Sequence, residues 1–140
     1  MIFILAILLV LPTLFACGRK ITLDDAKYTM GKFFTAIGAE DYSAAAQLMH
    51  PMANATATTI EALIGEVERE LSVSFADGIS NIRYTDHEEL PHNTAPGGSK
   101  FRVYGSMSIG AVAGVPFIIS LVMDSEGYGI SVIDIDGVYN

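Results

Sequence analysis

The sequence predicts an α+β protein in which three helices pack on a curved antiparallel sheet of about four strands. Apolar residues recur with a helical period near 3.6 between residues 22 and 71, and with a period of two from residue 82 onward. Helical segments that all precede the strands are typical of the α+β class. The residues after the apolar N-terminal run are numerous enough to form one domain with its own core.

The charge balance and the cysteine count exclude two classes of protein. Asp and Glu total 16 against 8 Lys and Arg, which gives a formal net charge of −8. So few basic residues argue against binding to nucleic acid, because neutralised phosphates supply most of that affinity. The single cysteine, Cys17, cannot form an internal disulfide, so the chain is not a disulfide scaffold.

Residues 1–16 predict a signal peptide. They contain no charged residue, and Pro12 interrupts the apolar run before it reaches the roughly 20 residues that a bilayer-spanning helix needs. An uncleaved anchor and an ordinary secretory signal are the alternatives that the residues leave open.

The segment Leu14-Phe15-Ala16-Cys17 resembles the lipobox of bacterial lipoproteins. The resemblance implies that Cys17 becomes the lipidated first residue of the mature chain, with residues 17–21 as a short linker and residues 22–140 as the domain. It also implies a bacterial cell envelope protein tethered to membrane lipid, since several acyl chains hold a protein firmly. Gly18 stands where an aspartate would signal retention in the inner membrane, so the outer membrane is favoured if the source is Gram-negative.

The first predicted helix begins after Thr22, a suitable N-cap, and ends at Gly38. Its apolar stripe places Phe33 and Phe34 on one buried face. Asp41 can cap a short second helix.

The second helix cannot continue past His50, because Pro51 follows. Thr58 and Glu61 have the spacing of a capping box, which predicts a third helix that extends to Leu71.

The predicted strands cover residues 82–85, 101–109, 115–123 and 128–138. In the last of them Tyr128, Ile130 and Val132 share one face, whereas Ile133 and Ile135 lie on the other. This change of phase predicts either a bulge near Val132 or a strand covered on both faces.

Three segments of the sequence are similar to motifs of the nuclear transport factor 2-like superfamily. They are Phe33-Phe34-Thr-Ala-Ile37, the following Glu40-Asp41-Tyr42-Ser-Ala-Ala-Ala-Gln-Leu48-Met49, and Asp124-Ser-Glu-Gly-Tyr128-Gly-Ile130 near the end. The resemblance implies a cone-shaped sheet that wraps the first helix and leaves a pocket. That fold serves enzymes, transport adaptors and binding modules, so it does not decide the function.

The candidate ligand-binding residues are aromatic. They are Tyr28, Phe34, Tyr84, Tyr104 and Phe117. The leading hypothesis is that the protein has a non-enzymatic binding or accessory role and uses these residues to contact a small hydrophobic ligand or an envelope protein. No cofactor is predicted. One alternative is a pocket enzyme of the isomerase or cyclase type, and another is a small subunit of a membrane complex that retains its leader.

The enzyme alternative requires an inward-facing carboxylate or histidine beside a hydroxyl donor. Asp134 and Asp136 on the last strand are interpreted as solvent-facing, and His50 as an imidazolium that caps the end of the second helix. His87 and His92 lie near three acidic residues, but their spacing matches no zinc motif, so no metal site is predicted.

The segment from Met107 to Phe117 is unusually apolar around its two turn glycines. Burial of the strands against the helices explains most of it. Contact with a second copy of the chain or with another partner through the sheet is the alternative.

Overall fold

The computed structural model describes residues 20–91 and 98–139. Within these residues three α-helices precede five antiparallel strands: α1 (Leu23–Gly38), α2 (Tyr42–Gln47), α3 (Ala57–Leu71), β1 (Ile79–Leu90), β2 (Ser99–Ile109), β3 (Val112–Asp124), β4 (Gly127–Ile135) and β5 (Val138–Tyr139). The α+β class and the order of helices before sheet are confirmed. The sheet has five strands, so the predicted number of about four is wrong. The predicted signal peptide, Cys17 and His92 lie outside the described residues.

Helix α1 begins and ends where its local sequence dictates. The Thr22 hydroxyl accepts a hydrogen bond from the backbone N–H of Asp25, and the Asp25 carboxylate accepts one from the backbone N–H of Thr22. This capping box satisfies two N–H groups that the helix itself leaves unpaired. The side chains that α1 buries follow the predicted stripe: Ala26, Thr29, Met30, Phe33, Phe34, Ala36 and Ile37.

Helix α2 is capped by Asp41 as predicted, because the Asp41 carboxylate accepts the backbone N–H of Ala44 at 3.0 Å. The predicted cap of α3 is wrong by two residues. The capping box there is formed by Thr56 and Thr59, and Thr58 lies inside the helix. The hydroxyl of Thr59 takes the part that a Glu or Gln side chain usually plays at this position, so the motif carries a different residue type.

The strands form one sheet in the order β1-β2-β3-β4-β5, and each pairs antiparallel with the next. Strand β1 is much longer than the predicted residues 82–85. Its register shifts twice, between Ser80 and Arg83 and again between Tyr84 and Asp86. Each shift changes which side chains face the helices, so the alternation that marks a strand is lost at these points.

The phase change in the last long strand is a β-bulge. Ser120 pairs with Val132, whereas Leu121 pairs with Ile130, so Ser131 is the extra residue on β4. This confirms the bulge near Val132 that the sequence allowed. A turn after β4 then adds β5, which pairs with the end of β4 and was not predicted.

The core of the sheet depends on Gly105 at the centre of β2. Gly105 pairs with Tyr84 of β1 on one side and with Phe117 of β3 on the other. A Cβ at this position would collide with the Phe117 ring and with the carbonyl oxygen of Arg83. The missing side chain therefore lets the Phe117 ring lie across β2.

We expect Phe33→Ala to lower the free energy of unfolding by about 3–5 kcal/mol, because the Phe33 ring is fully buried and its removal leaves a cavity. Tyr28→Ala is the control on the same helix, since 67% of Tyr28 is exposed, and we expect a change near zero. Denaturant midpoints of both variants test this. Similar losses in the two would show that the buried face of α1 is misassigned.

Candidate functional site

His50 is the buried group with the greatest potential for chemistry, since only 2% of it is exposed. Its Nε2 lies 2.9 Å from Oδ1 of Asp124, and its Nδ1 accepts the backbone N–H of Met52 at 3.2 Å. A ring nitrogen that accepts a hydrogen bond carries no hydrogen, so the hydrogen is on Nε2 and is donated to the carboxylate. The contact is therefore a hydrogen bond from a neutral imidazole to a carboxylate, and both ring nitrogens are occupied.

The backbone around His50 attaches the helical layer to the sheet. The His50 N–H donates to the Ile130 carbonyl oxygen at 2.8 Å, and the Ile130 N–H donates to the Leu48 carbonyl oxygen at 2.9 Å. The chain after α2 thus runs parallel to β4 for a short distance. A Cβ on Gly129 would lie 2.5 Å from the backbone nitrogen of His50, so only glycine permits this close approach of the two backbones.

The prediction that His50 caps the carbonyl end of α2 is wrong. His50 is instead the N-cap of the short 3₁₀ helix Pro51–Ala53, where its imidazole accepts a backbone N–H. Because the same ring also donates to Asp124, it joins the α2–α3 connection to the turn between β3 and β4.

Three of the five predicted ligand-binding residues form an aromatic cluster in the core. The Phe117 ring lies 5.4 Å from the Phe34 ring and 6.3 Å from the Tyr84 ring, both edge to face. Phe34 and Phe117 are buried, and burial raises the pKa of the half-buried Tyr84 hydroxyl. Such packing is favourable in itself, so these rings stabilise the contact between α1 and the sheet.

Tyr104 lies on the other face of the sheet, away from that cluster. Its hydroxyl donates to Oε1 of Glu88 at 2.6 Å, and the same oxygen accepts from Arg102 at 3.3 Å. Hydrogen bonding to Tyr104, together with the charge of Glu88, raises the pKa of Arg102. The pair of a carboxylate and a tyrosine hydroxyl that an isomerase would need thus occurs here on the face that points away from the helices.

The remaining predicted residue, Tyr28, lines an open groove of about 640 Å³ along the outer face of α1, beside α2. The floor consists of small residues: Gly31, Ala36, Ala39 and Ala44. Two lysines stand at its rim. The ammonium of Lys32 lies 4.4 Å from the centre of the Tyr28 ring, and that of Lys27 lies 5.0 Å from the centre of the Tyr84 ring.

A second, smaller groove of about 260 Å³ follows the other flank of α1, between this helix and the start of β1. Phe34 lines it together with Ile79 and Ile82, and Gly31 borders both grooves. Gly31 therefore lies between the two grooves; it is half-buried, and an added Cβ would meet no atom within 4 Å.

The sequence did not reveal the larger groove. Its floor is made of side chains too small to register as a hydrophobic stripe, and its walls come from two helices whose packing the sequence does not specify. The available signal was an unusual concentration of glycine and alanine, interrupted by lysine and tyrosine, between residues 27 and 46.

Other residues considered from the sequence have structural or solvent-exposed positions. The Asp134 carboxylate accepts the backbone N–H of Gly137 at 2.8 Å, and Asp136 is exposed in the same turn. His87 is exposed and stacks on Phe101. Among residues 20–91 and 98–139, no group of three or more His, Cys, Asp or Glu side chains is arranged to hold a metal ion.

The apolar segment from Met107 to Phe117 divides into two environments. Its strand residues Val115 and Phe117 are buried in the core, whereas the tip from Gly110 to Gly114 is exposed. Burial of the strands thus accounts for the larger side chains.

No protein-family model matches the chain, and no curated protein is significantly similar to it. In the part of the chain that the structure describes, no helix is long and apolar enough to cross a membrane.

We expect His50→Ala to lower the free energy of unfolding by about 2–3 kcal/mol, because it removes one donor from the largely buried Asp124 carboxylate and leaves the backbone N–H of Met52 without its acceptor. His87→Ala is the matched control, with an expected loss below about 0.5 kcal/mol, since His87 is exposed. Denaturant unfolding of both variants measures the difference. An unchanged midpoint for His50→Ala would contradict the structural role of the imidazole.

Proposed function

We propose that this protein is a membrane-tethered lipoprotein of the bacterial envelope, with a nuclear transport factor 2-like domain that acts as a non-enzymatic binding module. The lipobox-like segment ending at Cys17 supports the tether, and the order of three helices before an antiparallel sheet is consistent with the family. In a Gram-negative source the outer membrane is the favoured location.

The groove along α1 is the single observation that carries the binding role. Its volume of about 640 Å³ falls within the range of small-molecule sites. Its floor is apolar, and the side chains there are too small to fill the groove. Lys27 and Lys32 lie at its edge in a protein whose net charge is −8. A local positive rim on an acidic molecule favours an anion.

The groove thus fits a ligand with an apolar body and one anionic group. Among the described residues that line the groove, only Asp41 carries a carboxylate, and it accepts the first-turn N–H of Ala44. The two ammonium groups therefore leave an excess of positive charge for a carboxylate of the ligand. Their contacts with aromatic rings hold the lysine side chains and leave N–H donors for the ligand.

A non-enzymatic role is supported by where the ionisable groups lie. The buried imidazole of His50 has both nitrogens occupied, and the Tyr104 hydroxyl and Glu88 contact each other on the face away from α1. General acid–base chemistry needs a free group within reach of the substrate. The contacts of these residues favour binding over catalysis.

We expect a fatty acid that carries a mid-chain diazirine to label residues 27–44 of the full-length protein in nanodiscs. Gly31→Leu should reduce this labelling at least about tenfold, because the new side chain fills the groove. Mass spectrometry of the irradiated protein locates and quantifies the label.

The matched control is Gly65→Leu, since an added Cβ at the exposed Gly65 on α3 likewise meets no atom within 4 Å, and its labelling should equal that of the wild type. Lys27→Gln with Lys32→Gln should weaken labelling by the acid more than by its uncharged amide. Label distributed over the surface, or unchanged by Gly31→Leu, would contradict the proposed groove.

The tether is tested separately. We expect Cys17→Ser to abolish incorporation of a radioactive fatty acid during growth, because it removes the only thiol in the chain. Fractionation of the same cells should then show that membrane attachment is lost or reduced to what the leader itself provides. Label that persists on Cys17→Ser would contradict the lipoprotein assignment and leave the groove proposal standing.

A further inference from the structure

A pocket separate from both α1 grooves lies on the face of the sheet that points away from α1. Two bulges open it. On β1, Asn81 and Ile82 both lie opposite Met107, and on β3, Ala113 and Gly114 both lie opposite Ser108. The two strands that flank β2 therefore bulge beside consecutive residues of β2, Met107 and Ser108.

Each of the two bulges contains a residue with a positive φ angle. Asn81 has φ 51° and Gly114 has φ 70°, which places both in the left-handed region. Asparagine tolerates this region better than most residues, but the position is still unusual for a residue with a side chain. Bulges of this kind change the direction of neighbouring side chains and are common next to functional sites.

The resulting pocket has a volume of about 330 Å³ and is lined by Arg83, Asn81, Ser106 and Ser108, with Met107, Ala113 and Gly114 completing the lining. Its polar lining offers hydrogen-bond donors from one guanidinium and two hydroxyls, and it contains no carboxylate among the described residues. Ser108 is buried, and its hydroxyl accepts the Asn81 amide at 3.4 Å, which leaves its own hydrogen to donate.

The charge in this pocket is not neutralised. Within residues 20–91 and 98–139, the Arg83 guanidinium makes no ion pair and the Ser106 hydroxyl makes no hydrogen bond, whereas Arg102 on the same face is paired with Glu88. One cation and two hydroxyls therefore face the same space, and none of the described lining residues is a carboxylate that would balance the cation. This arrangement is complementary to an oxyanion.

We propose that this pocket is a binding site for a small organic carboxylate. The planar guanidinium of Arg83 matches a carboxylate with two parallel hydrogen bonds, and Ser106 and Ser108 supply further donors. One positive charge in a chain of net charge −8 suits a monoanion better than a phosphate dianion. The volume, beside the small residues Ala113 and Gly114, leaves room for a short aliphatic body. The site is separate from the α1 groove and does not depend on that proposal.

The test is a titration of the full-length protein in detergent micelles with isobutyrate, followed by backbone amide NMR shifts. We expect saturable shifts confined to residues 80–83, 106–108 and 113–114, and none with the uncharged isobutyramide. Arg83→Gln should raise the dissociation constant at least about tenfold, and Ser106→Ala about threefold to tenfold, as expected for loss of hydrogen bonds to a carboxylate. The amide spectrum of each variant also reports whether its fold is intact.

Arg69→Gln is the control, because Arg69 is an exposed arginine on α3 that pairs with Glu70, and its isobutyrate affinity should equal that of the wild type. Shifts that rise linearly without saturation, or that are equal in Arg83→Gln and the wild type, would overturn the proposal. Tighter binding of inorganic phosphate than of isobutyrate would overturn its assignment to a monocarboxylate.

Discussion

The contact between the Leu48–His50 segment and β4 joins the two layers of this fold. It uses backbone hydrogen bonds to Ile130, the absence of a side chain at Gly129, and the hydrogen bond from His50 to Asp124. Each part depends on the others, because the imidazole reaches the carboxylate only if the backbone approaches this closely. The position of α2 against the sheet, and thus one wall of the α1 groove, follows from this contact.

This use of the imidazole has a consequence for function. A buried histidine beside an aspartate is a familiar catalytic pair, in which the second ring nitrogen acts on the substrate. In this protein that second nitrogen accepts the backbone N–H of Met52, so neither ring nitrogen is left to contact a substrate. Surfaces with unoccupied donors lie elsewhere, at the lysine rim of the α1 groove and around Arg83 on the opposite face of the sheet.

Local signals predicted the helices well and the sheet less completely. The cap at Thr22 and the stripe through Phe33 and Phe34 are properties of neighbouring residues, so α1 could be predicted closely. Strand β1 could not, because its two bulges interrupt the alternation that identifies a strand and its second half is rich in charged residues. The α1 groove depends on how two consecutive helices pack, which their sequences do not specify, and the Arg83 pocket arises where strands β1, β2 and β3 meet.

The most direct test of this account is the position of the hydrogen on the His50 ring. Long-range proton–nitrogen NMR correlation of the imidazole at pH 7.5 distinguishes the two neutral forms. A structural imidazole that donates to Asp124 and accepts from Met52 requires the hydrogen on Nε2 and a bare Nδ1. A hydrogen on Nδ1, or exchange between the two forms, would mean that the ring is free to transfer protons and would contradict the account.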